Sequence, residues 1–391
     1  MLIDYKFNNF CSFNTESEFS LLAPGGKVMK RYPDNYTSSG TDYDLFKTAV
    51  LVGENAGGKS NFINSLRFLK GLFVSNGLVK SLRPFLNSSS IAEDKQPQQS
   101  FALTFLVSEQ IYYFQLVIDE IGIISEELQV WSKRKASHTI IYSITRKENG
   151  TYISDAGVAK SAITSVLKNG NNSIGLFINK IALLGIKEAQ QATDWVQNYL
   201  CPEAVTEERI RDVKRQDGDL SILREPRYLD IFRMIDYSIC GLQVNEENPY
   251  TKSIILRKDK NGIVFQRELQ MDSTGVREFL IWAIEIFRVV YEDRIVFADE
   301  MDRVLNPVLS DRVVSFITGS EHKGQFVFST HNVLHLDLKT YMKEQIYFVT
   351  KDRDSLTSEL YSLADFPEVR YETTKIYEFY MKGILGGIAS E

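Results

Sequence analysis

Residues 53–60 of the chain read Gly53-Glu54-Asn55-Ala56-Gly57-Gly58-Lys59-Ser60. It follows the G-x-x-x-x-G-K-[ST] pattern, in which a glycine-rich turn joins a strand to a helix. Residues 48–52, just before it, form an apolar run rich in β-branched side chains. After it, apolar residues recur at helical spacing, at positions 62, 63, 66 and 69. The sequence therefore predicts a strand, a phosphate-binding loop and a helix.

Each residue type in this loop suits an anion. Gly53, Gly57 and Gly58 allow backbone angles that turn N–H groups inward around phosphate oxygens. The N-terminus of a helix that starts near Lys59 adds free N–H groups and a partial positive charge. We predict that Lys59 neutralises the β- and γ-phosphates of ATP and that the Ser60 hydroxyl binds Mg²⁺. The predicted nucleotide site also includes Glu54, Asn55, Ala56 and Asn61.

The alternative is a glycine-rich turn that matches the pattern by accident. With glycine at about 7% of residues, such a match is expected in only about one chain in a hundred. The loop is therefore treated as a nucleotide site.

An apolar strand that ends in two carboxylates is predicted over residues 294–300. Asp299 would orient the shell around Mg²⁺, and Glu300 would act near the γ-phosphate as the general base that activates water. Surface strands that end in acidic residues are common, so this interpretation depends on the loop at residues 53–60.

Another apolar strand is predicted over residues 324–330, and His331 follows it directly. The strand begins 24 residues after Glu300, which leaves room for one helix. Of the four histidines in the chain, His331 alone follows such a strand. We predict that it hydrogen-bonds the γ-phosphate. A structural or exposed histidine is the ordinary alternative.

Residues 271–280 open an apolar helix that is predicted to run to about Tyr291. In the simpler interpretation, Ser273 or Thr274 caps the helix N-terminus. In the other, Ser273 and Gly275 form an ABC-type signature that binds the γ-phosphate of a nucleotide held by a second subunit. The position of Ser273, 26 residues before Asp299, favours the signature.

The order of these motifs resembles that of ABC-type ATPase heads of the SMC, RecF and OLD kind. The chain is also similar to the small ATPases of bacterial anti-phage and abortive-infection operons, of the AbiL and PARIS type. Four segments carry this narrower resemblance: residues 1–13, 53–60, 299–307 and 329–332. The chain differs from the pattern at Asn306, where many relatives have histidine. A Q-loop glutamine is not assigned, with Gln98, Gln99 and Gln115 as candidates.

The resemblance implies an α/β fold, a P-loop NTPase of ABC-ATPase head type with a mixed sheet and a helical insertion. It implies that residues 1–160 form the N-terminal part of the head with the P-loop, and that residues 161–248 form the insertion. Residues 249–391 would form the C-terminal part, with the signature, the acidic Walker B strand and the switch histidine.

The resemblance also implies an ATPase that forms a homodimer or a higher homo-oligomer around two ATP–Mg²⁺. Its expected role is that of a sensor in anti-phage defence, triggered by phage protein or DNA. It would act on a separately encoded effector, a nuclease or another toxin. The alternative is a DNA-repair or DNA-maintenance ATPase of RecF or SMC type that clamps DNA. A scaffold that binds ATP only to hold an oligomer is the third possibility, and Glu300 and His331 argue against it.

Further strands are predicted at residues 101–107, 111–118, 139–144, 253–256, 262–265 and 346–350, whereas residues 160–245 have a helical pattern. The helical part lacks sustained heptads, so no long coiled-coil arm is expected. Only 60 residues follow His331, too few for a Toprim nuclease, and Asp352 and Asp354 are predicted to lie in a β-turn.

Composition favours a cytoplasmic protein without membrane contact. The 391 residues are 43% hydrophobic, yet no apolar run approaches the roughly 20 residues of a membrane span. The three cysteines are far apart and match neither a disulfide framework nor a metal site. A net charge of −6 argues against a surface built entirely for nucleic acid. Basic clusters remain at residues 133–135 and 209–215, and acidic residues interrupt the second, which favours a solvated surface.

Overall fold

The computed structural model describes residues 1–75, 77–81, 98–132, 137–168, 174–202, 218–371 and 375–386. In chain order the strands are β1 Leu2–Asn8, β2 Ser17–Ser20, β3 Tyr36–Ser38, β4 Asp44–Phe46, β5 Thr48–Val52, β6 Gln99–Val107, β7 Gln110–Ile118, β8 Ile123–Ser132, β9 Ser137–Arg146, β10 Tyr152–Ala156, β11 Leu200–Cys201, β12 Ile239–Gln243, β13 Ile254–Lys258, β14 Val264–Glu268, β15 Ile295–Ala298, β16 Gln325–Thr330, β17 Ile346–Lys351 and β18 Ser358–Ser362.

The α-helices are α1 Lys59–Val74, α2 Lys160–Lys168, α3 Phe177–Leu183, α4 Lys187–Asn198, α5 Asp219–Leu223, α6 Pro226–Phe232, α7 Pro249–Lys252, α8 Thr274–Glu292, α9 Pro307–Gly319 and α10 Ile376–Met381. Short 3₁₀ helices lie at Val28–Arg31, Leu269–Met271, Met301–Arg303, Val333–His335, Lys343–Gln345 and Leu363–Asp365. None of the helices in the described ranges is long and apolar enough to cross a membrane.

Two large sheets organise the described residues, and the fold is mixed α/β. The first has the order β10-β9-β8-β7-β6-β1-β2 and is antiparallel throughout. The second has the order β11-β15-β16-β5-β17-β18. Its neighbouring strands are parallel except for the last pair, β17 and β18. Smaller antiparallel sheets join β12, β13 and β14, and β3 with β4.

Strand β5 lies between two hydrophobic clusters. Ala49 and Leu51 pack in one cluster with α1 and the antiparallel sheet, whereas Val50 and Val52 pack in the other with α8 and α9. A parallel strand covered on both faces needs an uninterrupted apolar sequence, and all residues of β5 are buried. This explains why the run at residues 48–52 does not alternate.

A buried amide joins the two large sheets. The Gln325 side chain is fully buried at the start of β16. Its Oε1 accepts the Leu2 N–H at 2.6 Å, while its Nε2 donates to the carbonyls of Leu2 at 2.9 Å and Phe46 at 3.2 Å. Because buried polar groups need partners, this side chain fixes the N-terminal strand of one sheet against the other.

The structure contains all the strands that the sequence predicted, with somewhat different bounds. The helix that opens near residue 274 ends at Glu292, next to the predicted end at Tyr291. Asp352 does lie in a turn, because its N–H donates to the Thr357 carbonyl and its carboxylate accepts from the Ser355 N–H. The unpredicted strands are β1 to β4, β8, β10, β11, β12 and β18, of which β11 and β12 lie within residues 160–245, where only a helical pattern was expected. The basic clusters at residues 133–135 and 209–215 lie outside the described residues.

The division of the chain at residues 160 and 248 stays a prediction. The range between these residues holds α3 to α6 and also β11, which pairs with β15 in the parallel sheet. Its side chains contribute to both hydrophobic clusters, for example Trp195 to one and Phe232 to the other.

Replacing Gln325 by leucine is expected to destabilise the protein by about 2–4 kcal/mol, because one N–H and two carbonyls would lose their buried partner. Urea unfolding followed by circular dichroism measures this. The control is Gln266→Leu on the exposed strand β14, which should change the free energy of unfolding by no more than about 0.5 kcal/mol. Equal stabilities of the two variants would contradict a joining role for Gln325.

Candidate functional site

A cavity of about 460 Å³ opens beside the loop between β5 and α1. Loop and helix residues that line it are Glu54, Asn55, Ala56, Gly57, Gly58, Lys59, Ser60 and Asn61. Glu300 and His331 lie on its wall together with Ser12, Lys351 and Leu356. The carboxyl ends of the parallel strands β5, β15 and β16 meet at one edge of the sheet, where ligands of such sheets bind. The predicted loop, the predicted base and the predicted histidine thus share one cavity.

Three glycines of the loop have no room for a Cβ atom. A Cβ atom on Gly53 would lie 2.0 Å from the Val349 carbonyl oxygen of β17, and one on Gly57 would lie 2.7 Å from the same atom. Gly58 has φ of +121°, and its Cβ would lie 2.4 Å from Ser358 Oγ. The loop therefore passes too close to β17 and β18 to carry side chains at these positions.

Ala56 has φ of 62°, in the left-handed region that residues with a Cβ rarely adopt. Its neighbours in the loop have no room to relax, because Gly53 and Gly57 are held against Val349. The loop thus keeps a strained backbone at a residue that faces the cavity.

Lys59 lies at the start of α1, with its side chain almost fully buried. Its Nζ donates to the carbonyl oxygens of Gly53 at 2.8 Å and Glu54 at 2.9 Å. Burial lowers the pKa of Lys59, whereas the carboxylates of Asp299 and Glu300 act in the opposite direction. The cation is thus held over the loop by backbone carbonyls within the field of acidic groups from β15.

The serine at the end of β16 holds the end of β15. The Ser329 hydroxyl donates to Asp299 Oδ1 at 2.6 Å and accepts the Glu300 N–H at 2.7 Å. Glu300 itself has φ of 51° and ψ of 55°, a left-handed conformation at the turn after the strand. Ser329 was not predicted as a positioning residue. Its only local signal is its place one residue before the end of an apolar strand.

Asp302 positions the segment that carries His331. Its carboxylate accepts hydrogen bonds from Thr330 Oγ1 at 2.6 Å and from the backbone N–H groups of His331 and Asn332. Sequence analysis gave Asp302 no role, although a carboxylate two residues after Glu300 was visible. The structure shows that it fixes the backbone on both sides of the histidine.

A second set of hydrogen bonds closes the other side of the loop. Ser358 Oγ lies 2.6 Å from the Gly57 carbonyl oxygen and 2.7 Å from Ser12 Oγ. Asn61 Nδ2 donates to Ser12 Oγ at 2.8 Å. Ser12 lies in the N-terminal segment that carries part of the family resemblance, but neither it nor Ser358 was predicted as a site residue.

Ser273 and Gly275 do not line the cavity of their own chain. Ser273 is the N-cap of α8, and its side chain accepts the Val276 N–H at 3.4 Å, as the simpler interpretation predicted. A Cβ atom on Gly275 would meet nothing within 4 Å. Asn306, where many relatives have histidine, caps α9 by accepting the Leu309 N–H at 3.0 Å. The signature interpretation remains a prediction.

The Mg²⁺ prediction depends on Ser60 and Asp299, a hydroxyl and a carboxylate at the same edge of the sheet. Within the described ranges, no cluster of three or more His, Cys, Asp or Glu side chains could hold a metal by itself. Mg²⁺ typically takes only one or two protein oxygens and fills its octahedron with water and phosphate oxygens. Ser60 lines the cavity, whereas Asp299 is not among its lining residues and its Oδ1 accepts a hydrogen bond from Ser329, so the Mg²⁺ site stays a prediction. Gln98, Gln99 and Gln115 do not line the cavity, so the Q-loop stays unassigned.

No family model matches this chain, and no curated protein matches it. Solved structures that resemble it include the SMC head domain from Thermotoga maritima, at 15% identity and a TM-score of 0.40 over 92% of this chain and 98% of that one. An SmcHead bound to the C-winged helix domain of ScpA has 15% identity and a TM-score of 0.44 over 92% and 97%.

A third similar structure is the Smc head domain with an extended coiled coil bound to the C-terminal domain of ScpA, derived from Pyrococcus furiosus. It has 12% identity and a TM-score of 0.40, and the alignment covers 98% of each chain. Because these similarities are weak, the function is inferred from the residues of the site. The narrower similarity to abortive-infection ATPases is not among these findings and stays a prediction.

Gly53→Ala is expected to destabilise the protein by about 1–3 kcal/mol and to impair nucleotide binding, because its Cβ would overlap the Val349 carbonyl. The matched control is Gly71→Ala in α1, where a Cβ meets nothing within 4 Å. That change should stabilise the helix by about 0.5–1 kcal/mol. Thermal unfolding with and without ATP measures both effects. Wild-type stability and ATP response in Gly53→Ala would show that the close approach is not a constraint.

Proposed function

We propose that this chain is an ATP-binding and ATP-hydrolysing head of ABC type. The observation that carries the proposal is the shared cavity, in which a P-loop faces an acidic strand end and a histidine from the two neighbouring parallel strands. Phosphoryl transfer requires positioning and electrostatic stabilisation of the phosphates, and the groups that line this cavity can supply both.

Binding of ATP would use the loop N–H groups, the N-terminus of α1 and Lys59. The Lys59 ammonium would exchange its bonds to the Gly53 and Glu54 carbonyls for phosphate oxygens. Ser60 and Asp299 would hold Mg²⁺, which neutralises charge on the phosphates when bound. Asp299 is already oriented by Ser329, so little rearrangement of this carboxylate is required.

Hydrolysis would use Glu300 as the general base that takes a proton from the attacking water. Its backbone conformation and its N–H bond to Ser329 aim it at the cavity. His331 would donate a hydrogen bond to the γ-phosphate, and Asp302 acts as the positioning residue for its backbone. A scaffold that binds ATP only to hold an oligomer would need neither Glu300 nor His331.

A homodimer around two ATP–Mg²⁺ is part of the proposal. Ser273 and Gly275 lie away from the cavity of their own chain, at the start of a long helix with open space around Gly275. An anion would find N–H groups and the positive end of the helix dipole there. Each helix start could then act on the nucleotide bound by the other subunit.

Glu300→Gln is expected to lower the ATP hydrolysis rate by a factor of about 10²–10⁴ while ATP still binds, because the amide cannot accept the proton. In light scattering, this variant should double in mass with ATP–Mg²⁺. Adding Gly275→Asp should abolish the increase, because a carboxylate would face the partner's phosphate.

The matched control for the double variant is Gly71→Ala in the Glu300→Gln background, which should still dimerise. Hydrolysis at the wild-type rate in Glu300→Gln would show that Glu300 is not the base. An ATP-driven mass increase that survives Gly275→Asp would contradict a signature at Ser273 and Gly275. A particle larger than one chain without ATP would indicate an oligomer that is already assembled.

The proposal includes two alternative cellular roles for such a cytoplasmic head. One is a sensor in anti-phage defence, which responds to phage protein or DNA and controls a separately encoded nuclease or other toxin. The other is a DNA-maintenance ATPase of RecF or SMC type that clamps DNA. The comparisons give the first role no support. The DNA experiment comes first because its outcome distinguishes the two roles.

The purified Glu300→Gln variant with ATP–Mg²⁺ is expected to bind duplex DNA if it is a clamp, with an affinity that falls steeply as salt increases, because phosphate contacts release counterions. Fluorescence anisotropy of a labelled duplex at several salt concentrations measures this. The Gly275→Asp double variant is the control, since a clamp requires the closed dimer. Absence of ATP-dependent DNA binding would rule out the clamp and favour the effector role.

A further inference from the structure

A second cavity lies on the face of the antiparallel sheet that points away from the core. It has a volume of about 420 Å³ and is lined by Ile3, Asp4, Leu22, Tyr43, Thr104, Ile111, Tyr113, Gln129 and Trp131. This volume falls in the range of small-molecule sites. None of these residues lines the nucleotide cavity.

The strand register builds the floor of this cavity. Asp4 pairs with Thr104, Thr104 with Tyr113, and Tyr113 with Gln129, so the four side chains form one row across β1, β6, β7 and β8. Ile111 and Trp131 are paired two residues further along and therefore share the same face. Neighbouring residues such as Tyr5, Phe114 and Leu128 point the other way, into the core.

The loop between β3 and β4 forms one wall. It brings Tyr43 over the sheet, and Ser39 Oγ donates to the Tyr43 carbonyl at 2.5 Å while the Tyr43 N–H donates to Thr41 Oγ1 at 3.2 Å. On the opposite side, the His138 ring lies 5.2 Å from the Trp131 ring and contacts the Gln129 amide oxygen. The walls are thus fixed by hydrogen bonds and ring contacts.

The described residues that line this cavity carry negative charge, which the ammonium of nearby Lys6 offsets in part. Among the residues that line this cavity in the described part of the chain, Asp4 is the charged one, and the rest are aromatic, aliphatic or neutral polar. Burial raises the pKa of Asp4, and the hydrogen bond from Ser20 opposes this only in part. The nearby Lys6 ammonium is paired with Glu18 at 3.0 Å.

We propose that this cavity binds a small organic cation with an apolar body, such as an alkylated ammonium compound. The rings of Tyr43, Tyr113 and Trp131 line the cavity and would offer the negative side of the ring quadrupole to a cation, and the Asp4 carboxylate supplies a negative charge. An anion would be repelled by Asp4. A neutral apolar molecule would desolvate that carboxylate without compensation.

The probe is choline, titrated into the full chain at pH 8. Trp131 lines this cavity and is 53% exposed, whereas Trp195 and Trp282 are 3% and 1% exposed and do not line it, so a change in emission on binding is assigned to Trp131. We expect a saturable change in emission. The neutral carbon isostere of choline, 3,3-dimethylbutan-1-ol, should bind at least about tenfold more weakly.

Variants of the lining residues test the contributions of the Asp4 charge and of the aromatic rings to choline binding. Asp4→Asn should weaken choline binding at least about tenfold and leave binding of the alcohol unchanged, and Tyr113→Leu should weaken choline in the same way. Tyr237→Ala, which removes a 94% exposed tyrosine elsewhere, is the control and should bind choline normally. Ligand-observed NMR gives the affinities, and circular dichroism confirms that each variant folds.

Three results would overturn the proposal. The first is choline binding that does not saturate in the wild-type protein. The second is equal affinity for choline and its alcohol isostere, and the third is an Asp4→Asn variant with wild-type choline affinity; either would make the cavity an apolar surface without cation recognition. ATP hydrolysis is not part of the readout, so failure here leaves the proposed ATPase untouched.

Discussion

The parallel pairing of β16 with β5 on one side and β15 on the other is the constraint on which the site depends. In this register Thr330 lies beside Val52, and Ala298 lies beside Phe328. The first residues after each strand therefore emerge at the same edge. A shift of one residue would turn Ser329 away from Asp299 and exchange the residues of β16 that face the two hydrophobic clusters. The hydrogen bonds of Ser329 and Asp302 then hold this edge in place.

Buried amides fix that register to the rest of the molecule. Gln325 ties the start of β16 to β1, and Gln345 ties the start of β17 to β5 by donating to the Thr48 carbonyl at 2.8 Å. Gln345 also accepts from Asn35 Nδ2 at 2.8 Å. Hydrophobic contacts alone tolerate sliding, whereas a buried amide loses its partners when a strand moves. These side chains specify the pairing more sharply than the apolar residues around them.

Local patterns were enough to predict the P-loop, the acidic strand end and the strand before His331, because each of these signals is contained in about ten residues. Strand β8 was missed since Glu126 and Glu127 interrupt its apolar pattern. The structure shows why an acid fits there: Glu126 is fully buried and accepts from Tyr142 Oη at 2.7 Å and from the Phe177 N–H at 2.9 Å. Burial raises its pKa to about 7. These partners lie 16 and 51 residues away, so local sequence could not reveal them.

Two residues of the site have strained backbone conformations. Ala56 and Glu300 both have positive φ although neither is glycine, and each faces the cavity. Such conformations cost on the order of 1–3 kcal/mol and persist only where the surroundings determine them. Here Gly57 is locked against Val349 and Ser358, and the Glu300 N–H is held by Ser329. The strain at Ala56 and Glu300 thus lowers the stability of the fold somewhat, while the loop and the Glu300 carboxylate are held in fixed positions. A site arranged in this way would reorganise little around a bound phosphate, which is the condition for electrostatic catalysis in the proposed ATPase.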